Sequence, residues 1–302
     1  MLFDKAKSHV DNVRMLSLSE FILCKDVILL DGAMGTRLDD FGLEMGGQNN
    51  ILHPQKVRDI HREYGACGCD ILITNTLCMN RIYIESHQLD ISVREVNLEG
   101  ARLAKSAAER HQYVLGDIGS TGKLLEPYGD LSEEKALRAF QEQAALLDEG
   151  GVDGFIVETM IDLREAKCAL RACKSVSSLP IMASMSFASS QNGGHTVMGN
   201  SARECARALS ENGVIAIGTN CGDLGPSQMA SIIEILGQQT SLPTLCMPNA
   251  GIPKLIDNQT VFDLSPQRFA AGISECIDAG VRLIGGCCGT SPEHIRALKS
   301  LV

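Results

Sequence analysis

Eight short, almost continuously apolar runs recur along the 302-residue chain: Val27–Leu30, Ile71–Thr74, Tyr113–Leu115, Gly154–Val157, Ile181–Met185, Ile215–Gly218, Thr244–Met247 and Arg282–Gly285. They lack the apolar–polar alternation of a strand with one wet face, so they read as parallel strands buried on both faces. The stretches between them carry apolar residues at helical spacing. Ser132–Glu149 is the plainest, with Glu149-Gly150-Gly151 as its stop, and Asn212-Gly213 and Ala279-Gly280 close two others just ahead of the next run. Eight β-then-α units predict a (β/α)8 TIM barrel, of the α/β class, rather than an open doubly wound sheet. No glycine-rich dinucleotide fingerprint follows the first run, which also counts against a Rossmann sheet.

Polar and metal-binding residues sit just past nearly every run: Asp31, Asn75, Asp117, Glu158, Ser186, Cys221, Asn249 and Cys287–Cys288. In such barrels the active site forms at these strand ends. The stretch Gly285-Gly286-Cys287-Cys288-Gly289-Thr290 places two adjacent cysteines there, ahead of a helix start at Thr290, Ser291 and Pro292. Thr219-Asn220-Cys221-Gly222 puts a third at the same kind of boundary. If the two strand ends meet, three thiolates converge with one coordination position open, which is the pattern of a catalytic zinc site. The bland readings stand beside this one. A vicinal cysteine pair also packs as small hydrophobes, Asp31 also suits a turn cap, and Glu158 also suits an ion pair in the barrel mouth.

Composition narrows the function classes. A formal charge of -10, with Lys and Arg scattered singly, supplies no basic stripe for nucleic acid or an anionic membrane. Residues 1–26 mix charges among short apolar pieces, without the sustained apolar core of a signal peptide, and nothing approaches a membrane-spanning run. The expectation is a cytoplasmic protein whose twelve cysteines are reduced thiols or metal ligands. Residues 1–22 read as an N-terminal extension covering the barrel bottom, and 23–302 as one barrel domain. Ser189–His195, with its Gly193-Gly194 pair, reads as the longest loop of the active face. Cys67 and Cys69, ahead of the second run, read as packing residues.

In order along the chain, Leu30-Asp31-Gly32-Ala33-Met34-Gly35-Thr36, Thr74-Asn75-Thr76, Gly116-Asp117-Ile118-Gly119, Val157-Glu158-Thr159, Gly218-Thr219-Asn220-Cys221, Pro248-Asn249-Ala250-Gly251 and the Gly-Gly-Cys-Cys-Gly-Thr element resemble the motif series of zinc-dependent homocysteine S-methyltransferases. Asn49-Asn50, Leu224-Gly225-Pro226 and Thr290-Ser291-Pro292-Glu293-His294 add a finer likeness to the homocysteine-binding module of cobalamin-dependent methionine synthases. Two stretches depart from the pattern. The segment after Cys221 is one residue longer, and Ser120-Thr121 follows Gly119 where proline is usual.

The resemblance implies zinc held by Cys221, Cys287 and Cys288, with the sulfur of L-homocysteine as fourth ligand. It implies that Asp31 and Glu158 hold the amino acid, and that the turn at Gly32 and Ala33 offers backbone N–H groups to its carboxylate. It further implies attack of that sulfur on a methyl group, giving methionine. The methyl donor expected is methylcobalamin on a separate corrinoid protein. S-methylmethionine or another sulfonium is the alternative, as is a non-catalytic zinc- and thiol-binding subunit docking to a corrinoid protein. A betaine donor would need an aromatic cage, and the chain has no Trp, four Tyr and eight Phe. Met34, Met79, Met160 and Met198 are candidates for an apolar donor surface, with core packing as the default.

Overall fold

The computed structural model describes residues 16–256 and 259–302; residues 1–15 of the expected extension lie outside the described residues. The strands are β1 (Ile28–Leu29), β2 (Ile71–Ile73), β3 (Tyr113–Ile118), β4 (Gly154–Met160), β5 (Ile181–Met185), β6 (Ala216–Asn220), β7 (Thr244–Met247), β8 (Lys254–Ile256), β9 (Gln259–Val261) and β10 (Leu283–Ile284). Eight of them form one parallel sheet in the order β1-β10-β7-β6-β5-β4-β3-β2. A parallel bridge from Leu30 to Ile71 brings β1 back to β2, so the sheet is the wall of a (β/α)8 barrel. Each barrel strand is followed by at least one helix.

Side chains alternate across this wall. Ile28, Leu30, Ile71, Tyr113, Leu115, Ile156, Met182, Leu245, Met247 and Leu283 belong to one buried cluster that fills the barrel. Their neighbours Leu29, Leu72, Val114, Phe155, Val157, Ala183, Cys246 and Ile284 pack outward against the helices. Both faces are dry, which is why the runs look continuous in sequence. The helix Leu18–Cys24, opened by a Ser17–Glu20 capping box, adds Leu18 and Ile22 to the interior cluster. A Cβ on Gly154, at the start of β4, would stand 2.8 Å from Leu18 Cδ2. The described part of the extension therefore plugs the N-terminal end of the barrel, opposite the face where the strands end.

All eight runs are strands, but β3 and β4 each continue three residues further than their apolar runs. Asp117 is thus in β3 and Glu158 in β4, one step beyond Leu115 and Ile156 on the inward face. Hydrophobicity stops there because the lumen becomes polar, while the ladder goes on. The β8–β9 hairpin is an element the apolar pattern did not signal: Lys254, Leu255 and Ile256 are all exposed. Ser189–His195 contains a single 3-10 turn at Gln191–Gly193, and His195 is half-buried with its N–H donated to Ser189 O. Cys69 is fully buried, its sulfur 3.5 Å from Leu30 O. Cys67 is buried as well. Among the described residues no helix is long and apolar enough to cross a membrane.

Candidate active site

Two strands, β6 and β10, carry the three cysteines to one point across the strand between them. β7 lies between β6 and β10 and supplies backbone acceptors to both. Cys221 N–H donates to Met247 O at 3.1 Å and Cys287 N–H to Pro248 O at 2.8 Å, while Ala250 N–H returns a bond to Cys288 O at 2.9 Å. Cys221 itself sits at φ 53°, a left-handed conformation that costs a non-glycine residue on the order of 1–3 kcal/mol. The following Gly222 continues it at φ 72°. Gly286 is needed for close approach, since a Cβ there would lie 2.6 Å from Thr290 Oγ1.

The result is a cluster in which the Cys221, Cys287 and Cys288 sulfurs lie within 4.8 Å of one another, with Cys221 and Cys288 4.0 Å apart. Hydrogen bonds from the Cys287 and Cys288 thiols hold Cys221 far below the ordinary thiol range, and the same bonds keep Cys287 well above it. A tetrahedral zinc with bonds of about 2.3 Å sets its sulfurs roughly 3.8 Å apart, so the spacing and the donor type both fit that ion.

Below the sulfurs lies a carboxylate group of three. Asp31 accepts the Ile73 N–H at 2.9 Å, and Glu158 accepts Asn220 Nδ2 at 2.7 Å. Asp117 faces Glu158, and its Oδ1 is buried. All three are at most 8% exposed. Burial, then the negative Cys221, raises Glu158 to about 7. Burial raises Asp117 and Asp31 well above the usual carboxylate range, with Glu158 as a further cause for each. Three acids sharing a dry space call for a cation, and among the described residues no Lys or Arg lines the cavity.

That cavity, about 440 Å³, runs from Cys287 and Cys288 past the three acids toward the segments after β1 and β2. Gly32 and Ala33 line it, but the Ala33 N–H is donated to Thr290 Oγ1 at 2.9 Å and the Ala33 carbonyl accepts Tyr64 Oη at 2.7 Å. The turn is therefore locked to the segment that follows the cysteine pair. Met34 and Met79 line the cavity, joined by Met45 and Met247; Met160 is in the packed core, and neither Met198 nor His195 reaches the lining. Asn249 donates to Gly222 O at 3.0 Å and holds the loop beside Cys221. Ser120-Thr121, the segment lacking the usual proline, is gripped instead by buried Glu165, which accepts Ser120 Oγ, Thr121 N and Thr121 Oγ1 at 2.6–2.9 Å. Asp117 is the site residue to which sequence reasoning gave no role. Its signal was parity: it lies two residues beyond Leu115, as Glu158 lies two beyond Ile156.

Known proteins bear on this arrangement in three ways. Residues 28–302 match the family model described as homocysteine S-methyltransferase. A methionine synthase of Mycobacterium tuberculosis is 32% identical over 305 residues, which cover 93% of this chain and 25% of that protein; the chain spans about a quarter of that relative's length. The crystal structure of the metallated homocysteine methyltransferase MmuM from Escherichia coli superposes with a TM-score of 0.79 at 22% identity, over 95% of this chain and all of that one. The carboxyl transferase domain of Rhizobium etli pyruvate carboxylase shares the barrel more distantly, at TM-score 0.54 and 14% identity over 93% of this chain and 48% of that one. With its family model matched across both strand ends that carry the cysteines, the chain belongs to the homocysteine S-methyltransferase family.

Proposed function

We propose that this chain is a thiol methyltransferase that binds L-homocysteine with its ammonium among Asp31, Asp117 and Glu158 and its sulfur at Cys221, Cys287 and Cys288. The observation that carries this reading is the pairing of the two clusters: a three-thiol group, of which Cys287 and Cys288 line the cavity, beside three buried acids, with no Lys or Arg among the described lining residues. An α-amino acid bearing a thiol complements both ends at once. Zinc held by the three cysteines would supply the charge that keeps the substrate sulfur deprotonated at neutral pH.

The protein's own groups do the rest. Asp31, fixed by the Ile73 N–H, and Glu158, fixed by Asn220, hold the ammonium, and a bound cation relieves the mutual repulsion that burial imposes on the acids. The Gly32 turn receives the substrate carboxylate, with Ala33 and Tyr64 holding the turn rigid. The sulfur is then fixed at one reach from the ammonium, so that it meets an incoming methyl carbon in line. A carbon–sulfur bond forms, the donor leaves with its bonding electrons, and the thiol proton passes to solvent.

For the donor we favour methylcobalamin carried by a separate corrinoid protein or domain. The 32% identity to a methionine synthase supports it. So does the cavity, whose charged lining residues are Asp31, Glu44, Asp117 and Glu158: a small donor such as S-methylmethionine brings a second carboxylate for which these acids offer no partner. Residues 23–302 would form the homocysteine-binding barrel, with 1–22 as its extension. The test is methyl transfer to L-homocysteine by zinc-loaded protein, with methylcobalamin and S-methylmethionine offered in parallel and Cys288→Ala as blank. Methionine from methylcobalamin supports the corrinoid reading. Methionine from S-methylmethionine alone replaces it with a free sulfonium donor, and silence with both sinks the proposed activity of the isolated chain.

A further inference from the structure

The outer wall of the cavity is the segment Glu44–Gln48, which faces Asn75 and Met79 after β2. No strand pairing holds this segment in place. Asparagine amides do. Asn50 Nδ2 donates to Asn75 O at 2.8 Å and to Val96 O at 3.0 Å, and Asn75 Nδ2 returns a bond to Asn50 Oδ1 at 3.1 Å while reaching Gly46 O at 3.2 Å. Asn49 Nδ2 adds bonds to Glu44 O and Gly46 O at 2.7 and 3.1 Å. Asn49 and Asn50 are at most 2% exposed, so a lost partner is not replaced by water and each bond weighs more than on a surface.

The surrounding backbone is shaped around this arrangement. A Cβ on Gly100 would lie 2.6 Å from Asn50 Nδ2, so the helix Val93–Ala107 leaves room for that amide only because position 100 is glycine. A Cβ on Gly47 would run into Met79 and stand 2.8 Å from Asn75 O. Asn75 follows β2 by two residues, and the same strand end supplies the Ile73 N–H that fixes Asp31. The clip thus ties the outer wall to the strand that carries the acid end, and sets the width between them.

We propose that the reciprocal Asn50–Asn75 amide clip is the positioning element that fixes this outer wall, and that the width it sets selects which methyl donors reach the Cys287–Cys288 end. The inference rests on the methyltransferase reading above. Asn50 does not line the cavity; it acts only through the segment it holds.

The experiment compares wild type, Asn50→Ala and Gly47→Ala, each zinc-loaded and checked for an intact thermal transition. Hydrogen–deuterium exchange over residues 44–50 reads the clip without turnover, homocysteine titration reads the acid and thiol end, and kcat/KM with methylcobalamin and with S-methylmethionine reads donor selection. In Asn50→Ala, exchange over 44–50 should rise at least tenfold, homocysteine affinity should stay within about twofold, and the ratio of the two kcat/KM values should move at least tenfold. Gly47→Ala, which crowds Met79 and Asn75 O from the wall side, should move the ratio as well. Unchanged exchange, or raised exchange with an unchanged donor ratio, overturns the proposal. A wild type that makes no methionine from either donor overturns the methyltransferase reading instead, and exchange still decides whether the clip holds the wall.

Discussion

Asn220 donates its side-chain amide to Glu158 Oε2 at 2.7 Å, and the next residue in the chain is Cys221. One side chain therefore couples the carboxylate end of the cavity to the thiol end. Its other bonds complete the joint: Nδ2 also reaches Thr159 Oγ1 at 2.7 Å, and Oδ1 accepts Thr159 N–H at 2.9 Å and Ser184 Oγ at 2.5 Å. Thr159 and Cys221 are both left-handed, at φ 57° and 53°. The amide holds two strained residues by clamping one and adjoining the other.

Asn220→Ala should accordingly weaken both ends together. We expect a stability loss of about 2–4 kcal/mol, from buried partners left unpaired and strain left unsupported. Homocysteine affinity should fall roughly tenfold to a hundredfold, the equivalent of about 1.4–2.8 kcal/mol. Urea unfolding and calorimetric titration on the same preparations measure the two. A variant that loses stability but binds homocysteine normally would show that Glu158 keeps its position without Asn220.

Cys288→Ala should remove zinc and turnover while leaving the barrel folded. The parallel sheet and its bridge from Leu30 to Ile71 do not pass through the cysteines, which close a site at one end only. Chelating the wild type should have the same effect, removing the stability that bound metal adds by mass action (about 4 kcal/mol at a thousandfold excess over Kd) and so lowering Tm, with an unchanged far-ultraviolet spectrum. Metal content by mass spectrometry and circular dichroism are the measurements. Unfolding on chelation would mean that the metal holds the fold itself.

The barrel was legible because both faces of its strands are dry, which leaves eight apolar runs alternating with longer stretches of helical spacing. The β8–β9 hairpin was not, because Lys254, Leu255 and Ile256 are all exposed and β8 has no buried face to give a period. At the site, Cys221, Cys287 and Cys288 were readable from residue type and strand-end position alone. Asp117 was harder, since its role depends on β3 continuing past its apolar run until the carboxyl comes to face Glu158. The Ala33 N–H was expected to meet substrate and is instead donated to Thr290, 257 positions away. Long-range partners of that kind leave no local pattern to read.

Substrate binding should depend on pH through Glu158. Burial raises it to about 7, so below that value it is largely protonated and a poor partner for an ammonium. Methionine, which has the ammonium but no thiol proton, isolates the effect. Its affinity should strengthen as pH rises from 6 toward 7, by up to about tenfold per unit for a single linked proton. Glu158→Gln should bind more weakly and flatten the profile. Calorimetric titration in buffers of different ionisation heat also counts the proton released, and a wild-type profile as flat as the variant's would remove Glu158 from the ammonium site.

His61 gives a pH effect on stability that is independent of the site. It lies on the helix Pro54–Gly65, fully buried, with neither ring nitrogen bonded to any described group. Burial lowers its pKa from 6.5 to about 4. Because the folded value is depressed, the neutral ring is compatible with the fold above 6.5. As pH falls from 6.5 toward 4, the unfolded chain takes up a proton that the folded one refuses. That shift corresponds to about 3 kcal/mol of stability lost across the window, complete below about pH 4. His61→Leu removes the group while keeping an apolar side chain in the space. The difference in unfolding free energy between variant and wild type should therefore swing toward the variant by about 3 kcal/mol between pH 7.5 and 4, whatever its value at pH 7.5. Urea denaturation across that range measures it, and the subtraction cancels the titration of every other group the two proteins share. Parallel curves would mean that the imidazole takes up its proton as readily in the fold as in the unfolded chain.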